Sequence, residues 1–152
     1  MQTAPGLVDK NALRIGQKVP TFRLPTLDGH RIDTAVYRGR PYLVTFWGSW
    51  CIPCREEMPL LQRVYQARGG KLPIVGVTYQ DPVNDSRDFV RAHRITFPIT
   101  PDDGIRVASA FGVLNGIPQT YFVDANGIVK DHVAGSGTAK DLQRAIDRFL
   151  AA

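Results

Sequence analysis

The chain has 152 residues, of which 43% are hydrophobic and 22% are charged, a composition that excludes a disordered or fibrous protein. This length is enough for one domain whose hydrophobic core needs no metal or disulfide to be stable. The net charge of +5 comes from lysines and arginines spread along the whole sequence. We therefore expect solvated surface charges and no nucleic-acid partner. No apolar run reaches the roughly 20 residues that cross a bilayer.

Residues 1–16 are predicted to form a flexible tail, and residues 17–152 a single domain. The tail lacks the charged start and apolar stretch of a signal peptide, so we interpret it as a frayed end or the remnant of a removed export signal or anchor. After it, residues 22–24 alternate in polarity and Asp28-Gly29 supplies a turn. This pattern predicts an N-terminal β-hairpin.

The rest of the sequence alternates between strand and helix patterns. Apolar, β-rich runs predict buried strands at residues 42–47 and 74–79, and helical periodicity predicts helices at residues 51–68, 85–94 and 105–111. Asn126-Gly127 separates two further strand patterns, residues 121–123 and 128–130, and predicts a hairpin. The last helix is predicted to begin at Thr138, with Asp141 as its capping partner. This order is typical of an α/β fold with a mixed central β-sheet flanked by helices.

The only two cysteines, Cys51 and Cys54, stand at the start of the first predicted helix. Two cysteines at this spacing exclude a disulfide scaffold and a four-cysteine zinc site. At a helix N-terminus, unpaired backbone N–H groups and the positive end of the dipole lower a thiol pKa from about 8.5 to between about 3.5 and 7.5. The pair is therefore predicted to carry thiol–disulfide chemistry. The alternative is an incidental pair or an incomplete metal site.

Helix geometry gives the two sulfurs different positions. Cys51 is expected to be the exposed, attacking sulfur, and Cys54 to lie one turn deeper on the same face, where it closes a Cys51–Cys54 disulfide. Pro53 is tolerated between them because the first helical turn has no partner for its missing N–H. Pro59, inside the same helix, is expected to produce a kink.

Glu57 interrupts the apolar stripe of this helix one turn below Cys54. A carboxyl group on a buried face is desolvated, which raises its pKa and suits it to proton exchange with Cys54. The alternative is that Glu57 bends towards solvent or pairs with a nearby arginine. Its neighbour Glu56 lies on the polar side of the helix and is expected to be solvated.

Pro118 stands at the mouth of the predicted strand at residues 121–123. A proline there would leave the backbone polar groups of Ile117 free to pair with an extended substrate, and X-Pro is the one common cis peptide bond. On the residues alone, a trans, turn-forming proline is the better expectation. The histidines are scattered, so we expect surface or packing roles for them and neither a metal site nor a cofactor; they are His30, His93 and His132.

Two blocks of the sequence resemble the TlpA/ResA/DsbE branch of the thioredoxin superfamily. The first is residues 46–59, FWGSWCIPCREEMP, and the second is residues 111–124, FGVLNGIPQTYFVD. The resemblance runs from about Gly16 to the C-terminus. It implies a thioredoxin-like fold with an N-terminal β-hairpin and a central helical insertion around residues 81–112.

The same resemblance implies roles for individual residues. Cys51 would be the nucleophile, Cys54 the resolving thiol, and Glu57 the buried catalytic glutamate of the family. Pro118 would be a cis proline beside the disulfide. The residues expected to contact substrate are Trp50, Ile117 and Pro118, and those expected to shape the active-site helix are Pro53 and Pro59.

The resemblance also implies an extracytoplasmic enzyme, in the periplasm or on the outer face of the cytoplasmic membrane, that reduces protein disulfides. In the DsbE and ResA groups the substrates are apocytochromes c awaiting haem attachment. A membrane thiol carrier supplies the electrons in these groups. We expect the enzyme to be a monomer.

Three positions depart from the family pattern. Thioredoxins proper carry Asp six residues before the first cysteine, where this chain has Thr45, and this shifts the proton-handling role towards Glu57. ResA-like enzymes often have Glu between the cysteines, where this chain has Ile52. DsbE-like enzymes place Glu after the cis proline, where this chain has Gln119. These departures weaken the assignment of an apocytochrome c substrate more than they weaken the prediction of thiol–disulfide chemistry.

Other functions share parts of the pattern. A copper(I) chaperone would use the two soft thiolates, but no third protein ligand stands at ligand spacing, and the only thioethers are Met1 and Met58. A thiol peroxidase would carry Thr four residues before Cys51, where this chain has Trp47. A general disulfide oxidant or exchange protein is a further alternative, because Ile52-Pro53 alone does not fix the reduction potential.

Overall fold

The computed structural model describes residues 12–114, 116–135 and 139–152. Two short 3-10 helices lie at Thr34–Tyr37 and Asp103–Ile105. The helices and strands follow one another as β1 (Arg23–Pro25), β2 (Arg31–Asp33), β3 (Tyr42–Trp47), α1 (Ile52–Ala67), β4 (Ile74–Thr78), α2 (Val83–Ala92), β5 (Ile99–Pro101), α3 (Arg106–Phe111), β6 (Gln119–Val123), β7 (Val129–Ala134) and α4 (Ala139–Ala151).

Five strands form a mixed sheet in the order β5-β4-β3-β6-β7. Strands β3, β4 and β5 run parallel, whereas β6 is antiparallel to both β3 and β7. Every residue of β3, β4 and β6 is buried, as expected for apolar strands that are covered on both faces. Strands β1 and β2 form the separate N-terminal hairpin. This architecture confirms the predicted thioredoxin-like fold.

The two faces of the sheet carry different helices, because successive side chains of a strand point to opposite faces. Trp47 packs against Phe89 of α2, and the guanidinium of Arg55 in α1 lies over the same phenylalanine ring. Phe46, on the opposite face, packs against Phe111 of α3. Helix α4 contacts both α1 and β7. Strand β3 therefore leads from the centre of the core directly into the loop that begins α1.

Strand β5 was not predicted, because three residues are too few to show an alternating pattern. It pairs parallel to β4 and also contacts the hairpin, where the hydroxyl of Thr100 donates a 2.7 Å hydrogen bond to the carbonyl of Pro25. Helix α2 begins two residues earlier than the prediction for residues 85–94. The hairpin predicted from Asn126-Gly127 is formed by β6 and β7.

Two predictions fall at the edges of the described chain. Residues 1–11 of the predicted tail lie outside the described residues, while Leu13 and Gly16 donate backbone hydrogen bonds to the carbonyls of Phe111 and Val129. Thr138, the predicted helix cap, also lies outside them. Within the ranges that the structure describes, no helix is long and apolar enough to cross a membrane.

Candidate active site

The cysteine pair lies where the chain passes from β3 into α1. Cys51 is the N-cap of α1, with an extended backbone, and its Sγ accepts a 3.3 Å hydrogen bond from the backbone N–H of Cys54. The two residues form a disulfide, with their Cα atoms 5.2 Å apart. The structure thus places a sulfur among the unpaired N–H groups of a helix N-terminus, the position that stabilises a thiolate.

The expectation that Cys51 is exposed is wrong for this disulfide form. Cys51 is 1% exposed and Cys54 is fully buried. The reason is the backbone of Ile117, whose carbonyl oxygen lies 3.8 Å from Sγ of Cys51. The apolar neighbours Trp50 and Ile52 are instead 43% and 72% exposed. Two apolar side chains on either side of the covered sulfur are therefore open to solvent.

Residues 116–119, here called the Pro118 turn, supply this cover. The peptide bond between Ile117 and Pro118 is cis, as the family resemblance implied and unlike the expectation from the residues alone. The end of β7 supports the turn from behind. A Cβ atom at Gly135 would lie only 2.9 Å from the carbonyl oxygen of Ile117, so a residue without a side chain is required there.

A side-chain network holds the Pro118 turn. The Nε2 of Gln119 donates a 2.8 Å hydrogen bond to the carbonyl of Gly116. Its Oε1 lies 2.9 Å from Nε2 of His132 and accepts a 3.3 Å hydrogen bond from the hydroxyl of Tyr121. The ring of His132 stacks on Tyr121 with centroids 4.1 Å apart. The sequence analysis predicts a surface or packing role for His132, and no local pattern indicates its contact with Gln119.

The protonation of His132 follows from this geometry. Because the amide nitrogen of Gln119 faces the carbonyl of Gly116, its oxygen faces His132, and the imidazole must carry its proton on Nε2 to donate. Burial lowers the pKa of His132 to about 4, against an opposing effect of the Asp131 charge. The ring is therefore neutral at pH 7.

Glu57 lies on the buried face of α1, one turn beyond Cys54, and is 5% exposed. Burial, together with the negative charge of Glu56, raises the pKa of Glu57 to about 7. Over the described part of the chain, its carboxyl group has neither a hydrogen bond nor an ion pair. The alternative in which Glu57 turns to solvent or pairs with an arginine is therefore wrong. Glu56 is exposed, as predicted.

The loop before Cys51 is tied to the segment after β4 by contacts that were not predicted. The carboxylate of Asp81 accepts two hydrogen bonds from Ser49, from the backbone N–H at 3.0 Å and from the hydroxyl at 2.8 Å. It accepts a third from the hydroxyl of Ser86 at 2.5 Å. The indole N–H of Trp50 donates to the carbonyls of residues 79 and 80. The contacts of Ser49 and Trp50 span 29 to 32 residues of chain, and no local motif around Asp81 signals them.

The prolines of α1 and the other two histidines lie outside the hydrogen-bond networks described above. Pro53 lies in the first turn of α1, where its missing N–H costs nothing, and Pro59 lies inside α1, which continues to Ala67. His30 and His93 are exposed. In the described residues, no group of three or more His, Cys, Asp or Glu side chains is arranged to hold a metal ion.

Comparisons with known proteins agree with this site. A model of the AhpC/TSA family matches residues 15–132, which include both motif blocks. The thiol-disulfide oxidoreductase ResA of Geobacillus kaustophilus is 33% identical over 142 residues, which cover 91% of this chain and 80% of the relative. The thioredoxin-like protein YneN of Bacillus subtilis is 32% identical over 136 residues, which cover 87% of this chain and 78% of the relative.

A solved structure shows the same fold. It is a secreted disulfide oxidoreductase of Mycobacterium tuberculosis, described as homologous to DsbE of E. coli, and it is similar with a TM-score of 0.77 and 26% sequence identity. The similarity covers 86% of this chain and 96% of that structure. ResA and the Mycobacterium tuberculosis protein are disulfide oxidoreductases, and the Cys51–Cys54 disulfide at the start of α1 has the geometry that such chemistry needs.

Proposed function

The chain belongs to the AhpC/TSA family, and we propose that this thiol–disulfide oxidoreductase acts as a protein-disulfide reductase. The observation that supports the proposal best is the position of Cys51, which caps α1 and accepts the N–H of Cys54 while facing the backbone of Ile117. This position stabilises an attacking thiolate and leaves its resolving partner within one helical turn.

The reaction has two exchange steps. The thiolate of Cys51 attacks one sulfur of a substrate disulfide, so that a mixed disulfide forms and the other substrate sulfur leaves as a thiolate. The thiolate of Cys54 then attacks Sγ of Cys51, which closes the enzyme disulfide and releases the second substrate thiolate. Two electrons pass from the cysteine pair to the substrate, and a dithiol donor must reduce the pair again.

Glu57 serves as the proton acceptor for Cys54 in this scheme. Cys54 must lose its proton before it attacks, and it is fully buried. With its pKa raised to about 7 by burial, Glu57 is available as a base at neutral pH and can return the proton when the pair is reduced again. The absence of a competing partner for its carboxyl group, in the part of the chain described, fits this role.

The substrates we propose are disulfides of extracytoplasmic proteins, such as an apocytochrome c before haem attachment. The similarity to a ResA enzyme and to a secreted protein homologous to DsbE supports this class. Trp50, Ile117 and Pro118 would receive the substrate chain beside Cys51. A membrane thiol carrier would be the electron donor, and the enzyme would act as a monomer outside the cytoplasm.

Two substrates test the general and the specific parts of this proposal. Insulin reports disulfide reduction of any kind, and a peptide with an oxidised Cys-x-x-Cys-His sequence represents the haem-attachment site of an apocytochrome c. We expect the reduced protein to reduce both, and the peptide with the higher kcat/KM. Reduction of insulin alone would remove the cytochrome assignment. Reduction of neither, or equal activity in Cys51→Ser, would overturn the reductase function.

A further inference from the structure

We propose that Gln119 and His132 are positioning residues, which hold the Pro118 turn over Cys51 and thereby limit the reactivity of its sulfur. The inference rests on the proposed role of Cys51 as nucleophile. Neither residue touches the sulfur. Their effect passes through the carbonyl group of Ile117, which lies between Gln119 and Gly116 in the turn and 3.8 Å from Sγ of Cys51.

The network fixes the turn from both ends. Gln119 bridges the turn by donating to the carbonyl of Gly116, three residues earlier. The oxygen of the same amide is held by His132 on the neighbouring strand β7 and by the hydroxyl of Tyr121. Gln119 is 7% exposed and Tyr121 fully buried, while His132 is half-buried, so a hydrogen bond lost at the amide of Gln119 is poorly replaced by water.

The position of the turn matters to Cys51 for two reasons. In the reduced protein, the carbonyl oxygen of Ile117 is placed to accept the thiol proton of Cys51, and its negative dipole end faces any thiolate. Both effects favour the thiol over the thiolate. In addition, the turn leaves Cys51 only 1% exposed in the disulfide form. A loosened turn should therefore make Cys51 more reactive, while it weakens the backbone surface that receives substrate.

Three variants separate the hydrogen bond from the packing. His132→Phe keeps an aromatic ring to stack on Tyr121 but removes the Nε2–H donor. Gln119→Glu keeps the side-chain shape but turns an ionised oxygen towards the carbonyl of Gly116. His132→Gln loses the stack and retains an N–H donor, so it should rescue the turn. His30→Phe, in the exposed turn of the N-terminal hairpin, is the matched control.

The test is the rate of iodoacetamide alkylation at each cysteine of the full reduced chain, measured by mass spectrometry from about pH 5 to about pH 8. We expect His132→Phe and Gln119→Glu to alkylate roughly threefold faster at Cys51 below neutral pH, with Cys54 unchanged. The KM for insulin should rise in both. His132→Gln and His30→Phe should stay close to the wild-type rate.

Equally faster alkylation at Cys51 and Cys54 would show that a variant is generally unfolded. The outcome is then decided by the remaining folded variant of the pair His132→Phe and Gln119→Glu. An unchanged or slower rate at Cys51 in a folded His132→Phe or Gln119→Glu protein would overturn the inference. Failure of His132→Gln to restore the rate would also overturn it, because stacking rather than the hydrogen bond would then hold the turn. Failure of the wild-type protein to reduce insulin would count against the proposed function, not against the positioning role, since alkylation needs no substrate.

Discussion

The hydroxyl groups of Thr45 and Thr120 lie 2.8 Å apart, fully enclosed between the neighbouring strands β3 and β6. Thr45 stands six residues before Cys51, at the position where the family resemblance leads one to expect the Asp of thioredoxins proper. A neutral hydrogen-bonded pair therefore occupies this position. In this protein, the buried carboxyl group near the cysteines belongs to Glu57 on α1 instead.

The threonine pair gives a prediction about stability. Thr45→Val should lower the free energy of unfolding by about 1–3 kcal/mol, because it leaves the hydroxyl of Thr120 buried without its partner. The double variant Thr45→Val/Thr120→Val should recover most of this loss, since both polar groups are then gone. Guanidinium denaturation of the oxidised proteins measures both values. A double variant no more stable than Thr45→Val would show that the lost partner of Thr120 is not the cause of the destabilisation.

Glu57 should make stability depend on pH. Its pKa is about 7 in the folded protein and about 4.5 when unfolded, so between these values the folded state binds more protons. The free energy of unfolding should therefore fall as pH rises from 4.5 to 7, by about 3 kcal/mol for the whole interval. In Glu57→Gln the free energy of unfolding should no longer decrease over this pH interval, whereas Glu56→Gln, at an exposed position, should show the same decrease as the wild type. Denaturant titrations at several pH values provide the measurement, and parallel pH profiles for Glu57→Gln and the wild type would contradict the prediction.

The same substitution should change the pH profile of turnover. With the base near Cys54 removed, Glu57→Gln should lose activity mainly in the step that resolves the mixed disulfide, by roughly 100-fold or more near neutral pH. Alkaline pH should restore part of the rate, because hydroxide then deprotonates Cys54. Insulin reduction followed across pH tests this. A uniform loss at every pH would reduce Glu57 to a structural role.

Replacing each cysteine with serine should block the reaction at a different step. Cys54→Ser should accumulate a covalent mixed disulfide with an oxidised substrate, because nothing displaces the substrate from Cys51. Cys51→Ser should form no adduct, since it lacks the N-cap sulfur that attacks the substrate and its remaining thiol is fully buried within the first turn of α1. Non-reducing electrophoresis followed by mass spectrometry identifies the adduct. A stable adduct at Cys54 in the Cys51→Ser protein would reverse the assigned order of attack.

Peroxide reduction and copper binding are separated from disulfide exchange by direct assays. With Trp47 where a thiol peroxidase would carry Thr, we expect hydrogen peroxide to be turned over at least about 100-fold more slowly than insulin disulfides. Elemental analysis of the reduced protein after incubation with copper(I) should find no retained stoichiometric metal after exposure to a competing thiol. Peroxide turnover at the insulin rate, or one tightly held copper ion, would favour the other function.

The sequence predicted the parts of the molecule that depend on local pattern. The apolar run of β3 and the helix signal at Cys51 were enough to place the disulfide at the carboxyl end of a buried strand. The cover over Cys51 could not be predicted in the same way, because it depends on how Ile117 meets the helix N-terminus across 66 residues of chain.

The network behind the site depends on strand register. His132 meets Gln119 only because β6 and β7 pair so that Tyr121 stands opposite His132. A one-residue slip would turn His132 to the other face of the sheet. Local patterns predict that two strands form a hairpin, but they do not fix register closely enough to identify a hydrogen bond between two side chains.

The reduction potential of the cysteine pair tests the central claim most directly. Equilibrium of the purified chain with dithiol and disulfide buffers, read out by mass spectrometry of the alkylated protein, gives this value. A protein-disulfide reductase should have a potential below about −220 mV, so that the pair donates electrons to substrate disulfides. A potential near about −120 mV would show that the Cys51–Cys54 disulfide is a strong oxidant, and the assignment as a reductase would be wrong.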